Sequence, residues 1–323
     1  MTAEFTRRAL LEIAGASSMT LAAIAAARAE SGGESTVAGP TFASRTPIRI
    51  GMVTLRVIDP DKVAAFYRDV IGLSVMQRTT MSVRLGAGGV PLVELEPRPD
   101  ASRESPRAAG LFHTAFLMPT RKDLARWLVH VARNRTPLTG FADHNVSEAV
   151  YLDDPEGNGV EVYADRAPEL WQWRDGVVRM GTEQLDVDDL VALTDTRTSN
   201  YAGAPEGLRI GHVHLKVGDI GEAASFYTGL IGLQPTRTID RAAFLSSGRY
   251  HHHIGANTWR SAGAGRRDDG TTGLSWFSFE VESEELLAGQ DTRLRQAGAT
   301  LTPLANGLET ADPWGTRVKL IRV

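Results

Sequence analysis

The feature that most limits what this chain can become is a repeat. Ile50-Gly51-Met52-Val53-Thr54-Leu55-Arg56-Val57 returns as Ile210-Gly211-His212-Val213-His214-Leu215-Lys216-Val217. The same shift of 160 carries Asp59 to Asp219, Phe66-Tyr67 to Phe226-Tyr227, and Ile71-Gly72-Leu73 to Ile231-Gly232-Leu233. One offset held across three separated pieces marks a duplicated structural unit. Each copy opens with the alternation of a half-buried strand, continues into a helix carrying Phe-Tyr, and reaches a glycine suited to closing that helix. Each half is itself double. Gly110-Leu111-Phe112-His113-Thr114-Ala115-Phe116 is a further strand start, answered by Gly273-Leu274-Ser275-Trp276-Phe277-Ser278-Phe279. A helix-like stretch from Arg121 to Asn134, with apolar Leu124, Trp127, Leu128 and Val131, follows the first of these. The halves also end alike, in Asp154-Pro155-Glu156-Gly157-Asn158-Gly159-Val160-Glu161-Val162 and Asp312-Pro313-Trp314-Gly315-Thr316-Arg317-Val318-Lys319-Leu320, each a tight turn into a last strand. The expectation is an α+β chain of four βαβββ modules beginning near Ile50, Gly110, Ile210 and Gly273.

A length of 323 residues and a hydrophobic fraction of 42% allow a large core and suggest two domains. The net charge of −4, with acids and bases well mixed, leaves no basic stripe for nucleic acid. The absence of cysteine excludes disulfides and thiolate metal sites, so a bound metal must be held by His, Asp or Glu. Residues 1–29 resemble a twin-arginine export signal: Thr6-Arg7-Arg8-Ala9-Leu10-Leu11 precedes a modestly apolar stretch, and Ala27-Arg28-Ala29 offers small residues for cleavage. This implies export to the periplasm, the alternative being an amphipathic N-terminal helix on a cytoplasmic protein. Residues 30–47, rich in Gly, Ser and Thr, read as a flexible linker. No other stretch approaches the length of a membrane span, so no stable membrane insertion is expected once the signal is removed.

The unit Ile-Gly-His-Val-x-Leu-x-Val-x-Asp, with its Phe-Tyr helix, Ile-Gly-Leu, and the closing Asp-Pro-x-Gly-Asn-x-Val-Glu, resembles the vicinal-oxygen-chelate superfamily of glyoxalases, bleomycin-resistance proteins and extradiol dioxygenases. Within it, Tyr250-His251-His252-His253-Ile254-Gly255-Ala256-Asn257-Thr258-Trp259 and the stretch from Asp143-His144 to Tyr151-Leu152 are similar to bacterial two-domain catechol 2,3-dioxygenases. The resemblance divides the chain into a first domain at 48–166, a connecting segment at 167–207 and a second domain at 208–323. It covers nearly all of the chain beyond the linker.

The resemblance also implies where ligands would sit: on the first and last strands of modules that face each other. First-strand positions carry Met52, His113, His212 and Trp276; last-strand positions carry Glu161 and Lys319. Pairing the first module with the second and the third with the fourth leaves no complete set. Pairing the second with the third and the first with the fourth gathers His113, Glu161 and His212 in one cavity, and leaves Met52, Trp276 and Lys319 in a dead one. Two imidazoles and a carboxylate match the facial triad of non-heme Fe(II), and Mn(II) suits the same donors. Seven of the eight histidines lie in the strand starts and in the two stretches that carry the resemblance, and only His130, on the second helix, stands apart.

By the same resemblance His252 is the candidate acid/base, placed opposite His251 and His253 if the three alternate along a strand. His144 and Tyr151 correspond to groups that hydrogen-bond bound substrate or oxygen, and Asn257 and Trp259 to pocket residues, with packing the plainer role for Trp259 and Tyr151. His214 shares a face with His212 and is expected to pack below the metal. The implied activity is extradiol cleavage of a catechol-like ring, with a small aromatic and O2 as the reactants. A glyoxalase-type metal-dependent isomerase or lyase and a non-catalytic aromatic or drug binder are the competing readings. A homo-oligomer is compatible with the sequence.

Overall fold

The computed structural model describes residues 40–323, so the export-signal reading and most of the linker fall outside the described residues. The first module is β1 (Ile48–Val57), α1 (Pro60–Phe66), which runs into a wider π turn at Tyr67–Ile71, then β2 (Ser74–Arg78), β3 (Val83–Ala87) and β4 (Val90–Pro97). The second is β5 (Gly110–Met118), α2 (Arg121–Arg133), β6 (Gly140–Asp143), β7 (Ser147–Asp153) and β8 (Gly159–Asp165). The connecting segment contributes a small hairpin, β9 (Trp173–Arg174) and β10 (Val177–Val178), and a short helix α3 (Val187–Val191). The third module is β11 (Arg209–Lys216), α4 (Ile220–Ser225) with its own π turn at Phe226–Leu230, β12 (Gln234–Ile239), β13 (Ala242–Ser246) and β14 (Ile254–Asn257). The fourth is β15 (Gly273–Val281), α5 (Glu284–Gln296), β16 (Thr302–Leu304), β17 (Gly307–Ala311) and β18 (Arg317–Arg322).

These strands form two curled eight-stranded sheets, in the orders β16-β17-β18-β15-β1-β4-β3-β2 and β12-β13-β14-β11-β5-β8-β7-β6. The modules are therefore paired first with fourth and second with third. The central seams, β1 with β15 and β5 with β11, are antiparallel and join the two halves of the chain. Alternation along each strand sorts its residues. Val53, Leu55 and Val57 of β1 and Val213 and Leu215 of β11 join Phe116 and Phe277 in one core that runs through both sheets. The intervening residues turn to the hollow side of each cup.

The repeated motifs fasten the modules to one another. Gly72 and Gly232 close the first and third helices at φ +86° and +90°, the left-handed conformation that glycine adopts without a Cβ penalty. In the final turns Asp154 Oδ1 accepts from the amides of Glu156 and Asn158 at 2.8 and 2.9 Å, and Asp312 Oδ1 from those of Trp314 and Thr316 at 3.0 and 2.8 Å. The buried phenol of the Phe-Tyr pair reaches the same turn: Tyr227 donates to Asp312 at 3.3 Å, and Tyr67 sits beside Asp154. The Phe-Tyr helices of the first and third modules thus anchor to the closing turns of the second and fourth. His130, the histidine apart from the others, bonds the Asp69 carbonyl at 2.8 Å and ties α2 to the first module.

The end of the stretch read as linker is packed instead. Ala43 and Thr46 are buried, and the Phe42 ring lies 5.5 Å from Trp171 and 6.0 Å from Tyr250. Its Gly- and Ser-rich composition gave way where one aromatic side chain found an apolar floor. Among the described residues no helix is long and apolar enough to cross a membrane.

Candidate metal centre and its cavity

On the concave face of the second sheet, His113 stands opposite His214 across the β5–β11 seam, and β8 runs parallel to β5 on its far side with Glu161 beside Ala115. A register shift between Ile210 and His212 keeps Ile210 and Val213 in the core while His212 and His214 turn inward. The result brings the three expected ligands together. His113 Nε2 lies 2.9 Å and His212 Nε2 3.2 Å from one oxygen of Glu161, and the two nitrogens are 3.3 Å apart. All three side chains are buried.

Two imidazole nitrogens converge with a carboxylate oxygen on one point instead of pairing off with separate partners. That donor set suits a single divalent cation with coordination positions to spare, of the kind bound by nitrogen and oxygen. Burial opposes the charge on Glu161, but the flanking His212 and His113 outweigh it and hold the carboxyl well below its usual range. Burial lowers His212 to about 4, so its imidazole is neutral and ready to ligate at neutral pH. Among the described residues no second group of metal-binding side chains gathers this way.

The triad opens into a cavity of about 840 Å³. Its wall is largely apolar and aromatic, with Phe112, Phe141, Met180, Ile239, Phe244 and Trp259 among the lining residues, and its polar members include His144, Tyr151, Arg237, His252 and Arg260. Below the triad the cup is plugged by Phe42, Tyr163, Trp171 and Tyr250. Gly255 lets β14 pass close beside the site, because a Cβ there would lie 2.8 Å from the His214 ring.

Tyr151 pairs across the strands with Glu161, which brings its phenol to the triad. Its Oη is 2.6 Å from His144 Nε2, and His144 Nδ1 is 2.6 Å from the Gly181 carbonyl. A carbonyl only accepts, so His144 Nδ1 carries a hydrogen, and the Tyr151 hydroxyl lies between His144 Nε2 and the Glu161 carboxylate. Burial, with Glu161 nearby, pushes the Tyr151 phenol well above its ordinary value and keeps it protonated.

His252 lines the cavity with its ring centroid 4.1 Å from that of His212. Burial, with His212 and His251 beside it, drives its pKa well below that of a free imidazole, so it is neutral. The histidine run is not a strand as expected. It is an irregular bend before β14, because its members are drawn to different partners: His253 to the hydroxyls of Thr46 and Ser246 at 3.0 and 3.1 Å, and His251 to Asp165 at 2.9 Å. Trp259 stands half-exposed on the cavity wall, edge-on to Phe112 at 5.2 Å. Asn257 does not line the cavity; it is buried and its side-chain oxygen accepts the Trp259 amide at 3.2 Å.

His214, expected to pack below the metal on the face it shares with His212, lines the cavity as well. Sequence reasoning missed two further contributions. Met180, Gly181 and Thr182 come from the connecting segment, whose irregular sequence gives no periodic sign. Asp165 follows Glu161 and Tyr163 on one face of β8, a spacing legible in the sequence. In the other cup, Met52, Trp276 and Lys319 share the concave side of the first sheet. There the Lys319 ammonium sits 3.4 Å over the Trp276 ring and 3.8 Å from Glu309, occupying the position where an ion would need donors.

The comparisons with known proteins agree with this architecture. The model of the glyoxalase/bleomycin resistance protein/dioxygenase superfamily matches residues 49–162 and 209–318. A catechol-2,3-dioxygenase of Bacillus subtilis (strain 168) is 35% identical over 269 residues, 82% of this chain and 93% of that protein. In fold, the chain is similar to a Bacillus subtilis subsp. subtilis strain 168 protein provisionally named a dioxygenase (TM-score 0.59, 13% identity, 84% of each chain). It is similar also to glyoxalase I of Zea mays (TM-score 0.53, 15% identity, 87% of this chain and 94% of that one). With the two matched segments taking in all four modules, two in each half of the chain, the chain belongs to the glyoxalase/bleomycin resistance protein/dioxygenase superfamily.

Proposed function

We propose that this protein is an extradiol ring-cleaving dioxygenase that acts on a catechol-like aromatic with Fe(II) and O2. The observation that carries the reading is the meeting of His113, Glu161 and His212 at one point on the floor of an aromatic-walled cavity. The relative named catechol-2,3-dioxygenase supports it. When bound, Fe(II) supplies the redox chemistry that brings dioxygen and an electron-rich ring together; Mn(II) suits the same three donors.

The chain's own side chains handle the substrate. Phe112, Phe141, Phe244 and Trp259 take a flat ring out of water and hold it over the triad. His252, neutral and facing the cavity, accepts the proton of a ring hydroxyl: the O–H bond breaks, an N–H bond forms, and the proton is returned later in the cycle. The Tyr151 oxygen, held between His144 and Glu161 on the cavity wall, offers an acceptor for the second ring hydroxyl.

The test is oxygen uptake by protein loaded anaerobically with Fe(II). Catechol should be consumed with one equivalent of O2 and a yellow ring-opened product should accumulate. Metal-dependent turnover of a hemithioacetal without O2 uptake would replace this reading with an isomerase, and tight aromatic binding by metal-free protein with no turnover would replace it with a binder.

A further inference from the structure

His252 can serve as a base only if the correct one of its nitrogens meets the cavity, and the contacts behind it decide which one does. His252 Nδ1 is 2.8 Å from His251 Nδ1. His251 Nε2 is in turn 2.9 Å from Asp165 Oδ1, an oxygen that also accepts from the Tyr250 hydroxyl at 3.2 Å. His251 is fully buried between Tyr250 and Trp171, with ring centroids 4.0 and 5.2 Å away, so it has no room to turn. Asp165 is held on the same face of β8 as Glu161, two pleats along.

The hydrogens follow from what each group can do. A carboxylate only accepts, so His251 Nε2 carries a hydrogen; in the arrangement proposed here it is the only hydrogen on that ring, and Nδ1 is an acceptor. The hydrogen between the two imidazoles then belongs to His252 Nδ1, which leaves Nε2 as the nitrogen with a free lone pair. We propose that Asp165 is a positioning residue which, through His251, fixes the His252 tautomer whose Nε2 lone pair meets the substrate. The catalytic part of this inference rests on the dioxygenase reading; the tautomer does not.

Two measurements test it. In the full chain loaded with diamagnetic Zn(II), nitrogen-15 NMR should report His252, assigned by its loss in His252→Gln, as the form protonated at Nδ1 and bare at Nε2. In His251→Phe, which fills the same aromatic slot without a nitrogen, that preference should weaken or reverse. With Fe(II) and catechol, His251→Phe and Asp165→Asn should each lower kcat roughly tenfold to hundredfold while KM stays within about twofold, and Asp165→Glu should recover part of the loss. A wild-type His252 protonated at Nε2, or an undiminished kcat in both variants, overturns the proposal. If the wild-type protein turns over no catechol at all, the functional reading fails and the tautomer measurement alone decides the role of Asp165.

Discussion

Tyr151 combines a packing role with a chemical one. Its ring lies 5.7 Å from that of His113, while its hydroxyl completes the line from the Gly181 carbonyl through His144. Tyr151→Phe keeps the ring and removes only the oxygen. Metal content should then be unchanged, while kcat/KM for catechol falls about tenfold, the effect of one hydrogen bond worth roughly 1.5 kcal/mol. Steady-state kinetics beside metal analysis would check this, and loss of metal would reassign Tyr151 to supporting the triad. His144 and Tyr151 were legible in the sequence by resemblance. The carbonyl that selects the His144 tautomer was not, since it lies 37 positions away in a segment without repeat or periodicity.

At the scale of elements, the closing turns carry a pH dependence. Burial pushes Asp312 up to about 6 from 3.8, against the opposing pull of the amide bonds and Arg267. Between these values the folded chain holds a proton that the unfolded chain has released. Asp312 therefore favours the fold below about pH 4, and that contribution is lost as pH rises through about 6. Asp312→Asn retains an oxygen for the Trp314 and Thr316 amides but does not titrate. Relative to wild type it should gain up to about 3 kcal/mol between pH 4 and pH 7, read by denaturant melts at both values. A gap that does not change with pH would contradict the assignment. The Asp-Pro turns and Phe-Tyr helices were visible in the sequence as repeats, but the contact between them was not, because a repeat reveals equivalence between copies and not which copies touch.

For the whole molecule, the decisive fact is that both central seams join the halves. β1 needs β15, and β5 needs β11, so neither sheet can close within 40–207 or within 208–323. Each half expressed alone should fail to melt cooperatively or hold metal, and co-expression should recover both; a metal-binding, cooperatively melting half would contradict the architecture. The pairing could be read in advance because only one arrangement of modules collects two histidines and a glutamate. The plug of Phe42, Trp171 and Tyr250 could not, since these residues come from irregular segments whose contacts no periodicity encodes. The histidine bend also escaped, because a strand pattern competes poorly with buried hydrogen bonds to Thr46, Ser246 and Asp165.

The most direct test of the whole account is metal stoichiometry in anaerobically Fe(II)-loaded protein, measured by elemental analysis across five single variants. Wild type, Met52→Ala and Lys319→Ala should each retain one ion per chain, while His113→Ala, Glu161→Ala and His212→Ala should each lose it. An ion retained by the triad variants, or lost from the Met52 and Lys319 variants, would mean that the centre lies elsewhere.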